Sequence, residues 1–375
     1  LLYLPHMGIA LAKKFHRFSS LKWTRLHQIL HDNHGVRYFV IAVGILLASG
    51  MAVLAWVWQQ PEPNLPTVYG PVHKTKEPPK FYSPLTGAVV NDEALTKRPV
   101  TAIMIENSPD ARPQSGLKDA GIVYEAIAEG GITRFLALYQ ESRPGLIGPV
   151  RSVRPYYVEW AAAYDAAVAH IGGSARALQM IRSGNYGLDI DQFFNAGAYW
   201  RANDRRAPHN VYTNFDNLDQ LVASKDKTSS TFTPIERKDD QKSKAPSATH
   251  INLPISSAWY NIDYDYQAET NSYLRKVGGE AHNDREGGQI QPHVVVAIEV
   301  AMTREMEDGY REQITTTGSG KAYVFQDGIV QEATWQRPDV KSQVTFVDAA
   351  GKPLKLNRGQ TWITALPNNR IPTWQ

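Results

Sequence analysis

Arg112, Arg134, Arg151, Arg154, Arg201, Arg205 and Arg206 fall in loops or at element ends, several beside proline, glycine or aromatic residues. A guanidinium offers its donors in a planar fork that matches carboxylate and phosphate, so arginines at turns suit recognition of an anion. Residues 200–212, WRANDRRAPHNVY, concentrate this chemistry and add His209 and Asn210 after Pro208. A solvated charged loop is the plainer reading of the same residues. A second candidate lies at residues 165–171, DAAVAHI, followed by Gly172, Gly173 and Ser174 and then the helix-spaced ARALQMIRS. A strand, a glycine pair and a capping serine create a helix N-terminus whose free amides can hold an anion, with His170 at the strand end beside it. A tight turn with a cap is again the plainer reading. Ser174 as a nucleophile with His170 as its base is a weaker option, because adjacency in sequence does not set hydrogen-bond geometry.

The carboxylates give a third pattern. Residues 99–106 form a buried-strand candidate ending at Glu106, and residues 122–128 and 132–139 are β-rich runs flanking Gly130-Gly131. A glycine pair between two such runs predicts a two-residue hairpin loop, because primed turns require positive φ. Glu129 then pairs with Ile132 and Ile127 with Arg134. Alternation places Glu125, Ile127, Glu129, Ile132, Arg134 and Leu136 on one face. Glu125 and Glu129 stand about 13 Å apart along that strand. Glycosidase pairs need roughly 5 to 9.5 Å between carboxyl groups. The pair is therefore no glycosidase dyad by itself; it reads as an arginine-centred ion cluster or the floor of a ligand site.

These residues must be positioned by elements that the rest of the chain supplies. Residues 38–58, YFVIAVGILLASGMAVLAWVW, carry no charge and follow a basic segment of Lys13, Lys14, Arg17, Lys22, Arg25 and Arg37 against Asp32 alone. At about 1.5 Å of rise per residue the run spans the roughly 30 Å hydrocarbon core, with aromatic residues at its ends. The expectation is a single transmembrane helix, with residues 1–37 a basic cytoplasmic stub and everything downstream extracytoplasmic. Its length and the following Gln-Gln-Pro argue against a cleaved signal peptide. Leu1 in place of Met suggests a non-standard start, with Met7 the candidate true one. The chain holds 40 basic and 37 acidic residues; six and one of these lie at or before Trp58, leaving 34 and 36 beyond it. The basicity therefore belongs to the membrane-flanking stub and implies no nucleic-acid partner. There is no cysteine, which excludes disulfides, thiolate metal sites, a cysteine nucleophile and a lipidated N-terminal cysteine.

Residues 59–83 are proline-rich and read as an extended stalk. Residues 84–224 then form a first domain of mixed strands and helices, including a helix over 155–164 that opens on Pro155. Residues 225–250 are polar and read as a linker or long loop, and 251–375 as a second, mostly β domain. The fold class is α+β behind one N-terminal transmembrane helix. His282, Asp284 and His293 lack metal-ligand spacing, no HExxH, P-loop or strand-linked GxGxxG occurs, and neither metal nor cofactor is expected.

The runs RPVTAIMIENSPDARPQSGLKDAGIVYEAIAEGGITRFLALYQ, IGPVRSVRPYYVEWAAAYDAAVAHIGGS and RRAPHNVYT resemble the YerB-like family of bacterial cell-envelope proteins. TGSGKAYVFQDGIVQEATWQ and GQTWITALP are similar to that family's companion C-terminal domain. The resemblance spans roughly residues 82–370. It implies an extracytoplasmic protein with an α/β first domain and a β-rich second, and it carries no catalytic residues across. Its members are often lipoproteins; this chain, lacking cysteine, departs there and would use the 38–58 helix as its anchor.

Two functions follow as expectations. The preferred one is a non-catalytic membrane-anchored envelope protein that binds an anionic wall polymer or an envelope partner protein through its arginines and the Gly172–Ser174 turn. The alternative is a hydrolase or transferase on wall glycan or peptide, with Glu106, Glu125, Glu129, Asp165 or His170 as acid–base groups.

Overall fold

The computed structural model describes residue 31 and residues 34–59, 80–304 and 310–375. It divides into two compact units, residues 1–77 and 78–375. In the first, helix α1 (His34–Trp58) contains the predicted apolar run and starts at His34 instead of Tyr38. By length and composition it can cross a membrane. Most of the basic stub at 1–37 and of the stalk at 59–83 lies outside the described residues.

The second unit is α+β and mostly β. From its N-terminal half come β1 (Thr101–Glu106), β2 (Ile122–Glu129), β3 (Ile132–Tyr139), β4 (Ala167–His170) and β5 (Leu188–Asp191). Its C-terminal half begins with β6 (His250–Leu253), β7 (Ile262–Gln267), β8 (Ser272–Val277) and β9 (Glu280–Ala281). It continues with β10 (Val294–Val300), β11 (Gly318–Gln326), β12 (Ile329–Arg337), β13 (Thr345–Val347), β14 (Thr361–Pro367) and β15 (Thr373–Trp374). Ten of these form one sheet in the order β13-β12-β11-β10-β14-β2-β3-β1-β4-β5, and the others a five-stranded sheet, β9-β8-β7-β6-β15.

The seam between the halves is a parallel pair. Thr361 to Thr364 of β14 lie opposite Ile122 to Glu125 of β2. The continuous apolar runs at the centre of the large sheet suit strands buried on both faces. Tyr124, Trp160, Val296 and Ile363 pack on one face. Val123, Phe135 and Trp362 pack on the other, where Ile251, Tyr264 and Val295 of the second half extend the core. The expected linker at 225–250 is not a free connection. Ile235 and Ala248 are buried, and Arg237–Lys238 pair in parallel with Leu356–Asn357. Arg237 also donates to Thr361 Oγ1 at 2.8 Å and to Leu85 O at 2.9 Å, fastening the segment to both halves. The two halves are thus distinct along the sequence but share one sheet in space.

The hairpin between β2 and β3 forms as expected at its tip. Gly130 and Gly131 have φ of 58° and 79°, and Glu129 faces Ile132. Beyond the tip the register shifts, so that Ile127 lies opposite Thr133 and Ala126 opposite Arg134. The expected Ile127–Arg134 pair is therefore overturned: the β-bulge between Ile127 and Glu129 inserts one residue that alternation alone does not specify. The slip brings Glu129 to the side of Arg134 and leaves Glu125 facing the opposite core.

The longer helices of this unit are α2 (Pro155–Ala162), which follows Arg154, α3 (Ala175–Arg182), which follows Ser174, and α4 (Phe215–Ala223). Proline opens α2, whose φ it presets. Trp160 of α2 stacks on Tyr124 at 5.0 Å between centroids. The hydroxyls of Tyr156 and Tyr157 donate to the carbonyls of Ile127 and Arg134, each at 2.7 Å, satisfying acceptors around the bulge.

Gly187, just before β5, has φ +119°, and an added Cβ would stand 2.4 Å from the Ala166 carbonyl oxygen. Gly187→Ala should lower stability by about 2 kcal/mol, through both strain and overlap with backbone. Urea unfolding of the 78–375 unit measures it, and a loss under about 0.5 kcal/mol would contradict the account.

Candidate anion-binding site

The arginines expected at turns gather in two places and are buried in a third. The main cleft, about 680 Å³, is lined by Arg112, Arg205, Arg206, His209, Arg285 and the aspartates Asp110 and Asp204. Four guanidiniums against two carboxylates leave it formally positive. Arg285 is paired with Asp204 at 2.6 Å. Arg205 donates to the Asp110 carbonyl at 3.2 Å and to that of Pro113, and among the described residues its charge has no direct ionic partner. Arg206 is exposed and makes no side-chain hydrogen bond or ion pair with the described residues. Arg112 is tied down: its Nε donates to Asn107 Oδ1 at 3.1 Å, one terminal nitrogen to the Asn107 and Trp259 carbonyls at 3.0 Å, and its guanidinium lies over Tyr260. Burial lowers its pKa from the ordinary arginine value, with opposing help from Tyr260 and Glu125.

A second cleft of about 440 Å³ is lined by Arg151, Arg182, Arg201, Gly172, Gly173 and Phe193, among others. Residues 200–212 border both clefts, with Arg205, Arg206 and His209 on one and Arg201 and Pro208 on the other. Asn210 braces this segment, accepting from Arg201 at 2.8 Å and donating to the Ala202 carbonyl at 3.0 Å.

The acids are engaged by the protein itself. Glu106, at the end of β1, has only 4% of its side chain exposed. Its Oε1 accepts from the Ser108 hydroxyl at 3.1 Å and lies 3.3 Å from Arg151 Nε; its Oε2 is 2.9 Å from His209 Nδ1. Glu129 bonds Arg134 through one oxygen and Arg154 through the other, at 2.6 Å. Burial alone would raise the Glu129 pKa, but Arg134 and Arg154 outweigh it and hold the carboxyl below its ordinary value. These two arginines are nearly fully buried and belong to this cluster, not to an open groove.

Glu125 lies in the core between the halves. Its Oε2 accepts from Arg275 at 2.8 Å and from the Trp362 indole at 3.1 Å. Thr133 donates to Oε1 at 3.0 Å. Arg275 in turn donates to Tyr264 at 2.8 Å and to His282 Nδ1 at 2.9 Å, and its guanidinium lies 4.4 Å from the Trp362 ring centroid. His282 therefore carries its proton on Nε2 and donates to Gln114 Oε1 at 2.9 Å. Burial first and Arg275 next push its pKa well below the ordinary value, keeping the ring neutral. Gln114 donates to the Glu106 carbonyl and to Asn107, so this buried network ends on the loop that carries Arg112.

The Gly172–Ser174 turn is built as expected, with Ser174 capping α3 by accepting from Ala177 N. Two of its amides already have partners: Gly172 N donates to Asp191 Oδ1 at 3.0 Å and Ser174 N to the Val153 carbonyl at 3.3 Å. The anion held there is the protein's own Asp191. His170 is fully buried, with Nδ1 at 2.9 Å from the Gly172 carbonyl and Nε2 at 3.0 Å from Asp189 Oδ1. Ser174 and His170 thus serve separate bonds, and no nucleophile–base pair forms. Asp165 is paired with Lys227 at 3.0 Å. Among the described residues no three His, Asp or Glu side chains meet as a metal cage, and Asp284 is turned to the Lys118 amide, apart from His282.

Arg285, Asp204 and Arg182 were not singled out from the sequence. Arg285 precedes the Gly287-Gly288 turn and had the same arginine-at-a-turn signature as the others.

The fold and these clefts define a two-module α+β protein whose halves share a sheet and whose main cleft holds more arginines than acids. The chain belongs to the YerB-like family of unknown function. Residues 85–229 match the N-terminal domain described as "Protein of unknown function (DUF3048)", and 251–363 match its C-terminal domain. The Bacillus subtilis (strain 168) protein named "Putative lipoprotein YerB" is 33% identical over 294 residues, covering 77% of this chain and 87% of that protein. The crystal structure of YerB from Bacillus subtilis superposes with a TM-score of 0.70 at 30% identity, covering 78% of this chain and all of that one.

Removing one member of the Glu125–Arg275 pair leaves a buried charge alone, so Arg275→Met should cost about 3–5 kcal/mol, while Glu125→Gln combined with Arg275→Met should cost clearly less. Denaturant unfolding of the two variants checks this; a double variant as unstable as the single one contradicts it. For Glu129 the folded pKa is depressed, so its stabilisation is complete above the ordinary value of 4.5 and is lost as pH falls through the lowered one. Glu129→Gln should be less stable at neutral pH and show a shallower acid loss; parallel acid limbs in wild type and variant would rule this out.

Proposed function

We propose that this protein binds an anionic polymer of the cell envelope through its arginine-lined cleft, outside the membrane that α1 crosses. The observation that carries the reading is the state of Arg205 and Arg206: two guanidiniums in one cleft without ionic partners among the described residues, while Glu106, Glu125 and Glu129 are all committed to bases of the protein. Isolated surface charges gain little from pairing with one another, but a cluster of unpaired forks recruits phosphate or carboxylate with geometric specificity. The location is supported by the apolar α1, by the basic residues before it and by the lipoprotein name of the Bacillus relative.

A hydrolase would need a free acid or base at the cleft. Of the two acids that line the cleft, Asp204 is paired with Arg285 and Asp110 stands as a single exposed carboxylate, while Glu106, which bonds the cleft residue His209, is also engaged by Ser108 and Arg151. The geometry therefore favours binding over catalysis.

The 78–375 unit should cosediment with purified cell walls at low salt and be released at about 0.5 M salt, where screening acts within a few ångströms. Arg205→Ala with Arg206→Ala should weaken retention about tenfold or more, whereas Gln at Glu106 should not mimic that loss. Retention indifferent to salt and to the double substitution would overturn the reading, as would release of soluble wall fragments by the folded protein.

A further inference from the structure

Trp259 is 68% exposed, in the single helical turn Ala258–Tyr260 between β6 and β7. Trp259 lines a separate, mostly apolar cavity of about 340 Å³ with Pro109, Val277 and Ala281, and Glu280 adds one acid to its wall. Arg112 and Pro113 line this cavity and the arginine cleft alike, so the two share a wall. The backbone of Trp259 is fixed where its ring is free. Arg112 donates to its carbonyl at 3.0 Å, and Gly278 approaches so closely that a Cβ there would stand 3.0 Å from the same oxygen. The indole platform and the cationic cleft are thereby held at one spacing by one guanidinium.

An exposed indole over an apolar cavity is not accounted for by packing, and its size suits one sugar ring: roughly ten water volumes at about 30 Å³ each. The axial C–H face of a pyranose packs on an aromatic face, and a charged substituent on the same sugar would reach toward the forks of the neighbouring cleft. We infer that the Trp259 cavity and the arginine cleft form one composite site for a phosphate-bearing saccharide, with the sugar ring on Trp259 and the phosphate on Arg205 and Arg206. This rests on the anion-binding reading of the cleft and adds the ligand's second half.

The full chain in detergent micelles is titrated calorimetrically with N-acetylglucosamine 1-phosphate, N-acetylglucosamine and inorganic phosphate. The sugar phosphate should bind at least tenfold more tightly than either fragment, because two linked contacts act together. Trp259→Ala should weaken the sugar phosphate about tenfold and leave inorganic phosphate within twofold. Trp259→Phe should restore part of the loss. Arg205→Ala with Arg206→Ala should weaken both phosphate probes. If inorganic phosphate binds but the sugar adds nothing, or Trp259→Ala is silent, the composite site is wrong while the anion cleft stands. If neither phosphate probe binds, or both ignore the arginine substitutions, the cleft reading fails as well.

Discussion

The fully buried ion pair between Glu125 and Arg275 is the constraint on which the rest of the molecule depends. Each partner comes from a different half of the chain, 150 positions apart, and neither has water to fall back on. A charge pair taken out of water is tolerated only when its remaining donors and acceptors are filled. Here Thr133, Trp362, Tyr264 and His282 fill them, and each must hold its place for the pair to survive. The requirement is transmitted outward through His282 and Gln114 to Asn107, and from Asn107 to Arg112 at the cleft. Core electrostatics and the candidate site are therefore one connected system.

The bulge in β2 separates two kinds of carboxylate that sequence alternation would have put together. Without the inserted residue, Glu125 and Glu129 would compete for one arginine on one face. With it, Glu129 meets Arg134 and Arg154 on the helix side, and Glu125 is released to the other core. The tyrosines of α2 then bond the carbonyls flanking the bulge. A single extra residue thus sorts the acids of the strand between two environments.

What was legible beforehand was local. The Gly130-Gly131 hairpin tip, the proline-started α2, the serine-capped α3 and the apolar α1 each follow from short-range chemistry, and the family resemblance added the α+β plan. What was not legible depends on distance. Nothing in the spacing of Glu125 indicates Arg275, and nothing in residues 225–250 signals that Arg237 will bind Thr361. The site divides in the same way. Arg205, Arg206 and His209 were recognisable because one short segment carries them to the cleft. Arg134 and Arg154 carry the same side chain but lie buried, since only tertiary pairing decides whether an arginine meets Glu129 or solvent. Trp259 gave no signal because exposure of a single aromatic ring is a property of the finished fold.

The seam between β2 and β14 also bears on how the chain reaches this state. The indole of Trp362 meets Glu125 across 237 positions, so the strand that closes β2 is synthesised long after it. Until then β2 presents an open, apolar edge, the template for wrong strand pairing. Loop closure over such a span makes productive pairing slow compared with local hairpins. The N-terminal half is therefore an incomplete folding unit despite its own family boundary: its edge stays uncovered while more than two hundred further residues are made, until the strand at Thr361–Pro367 arrives.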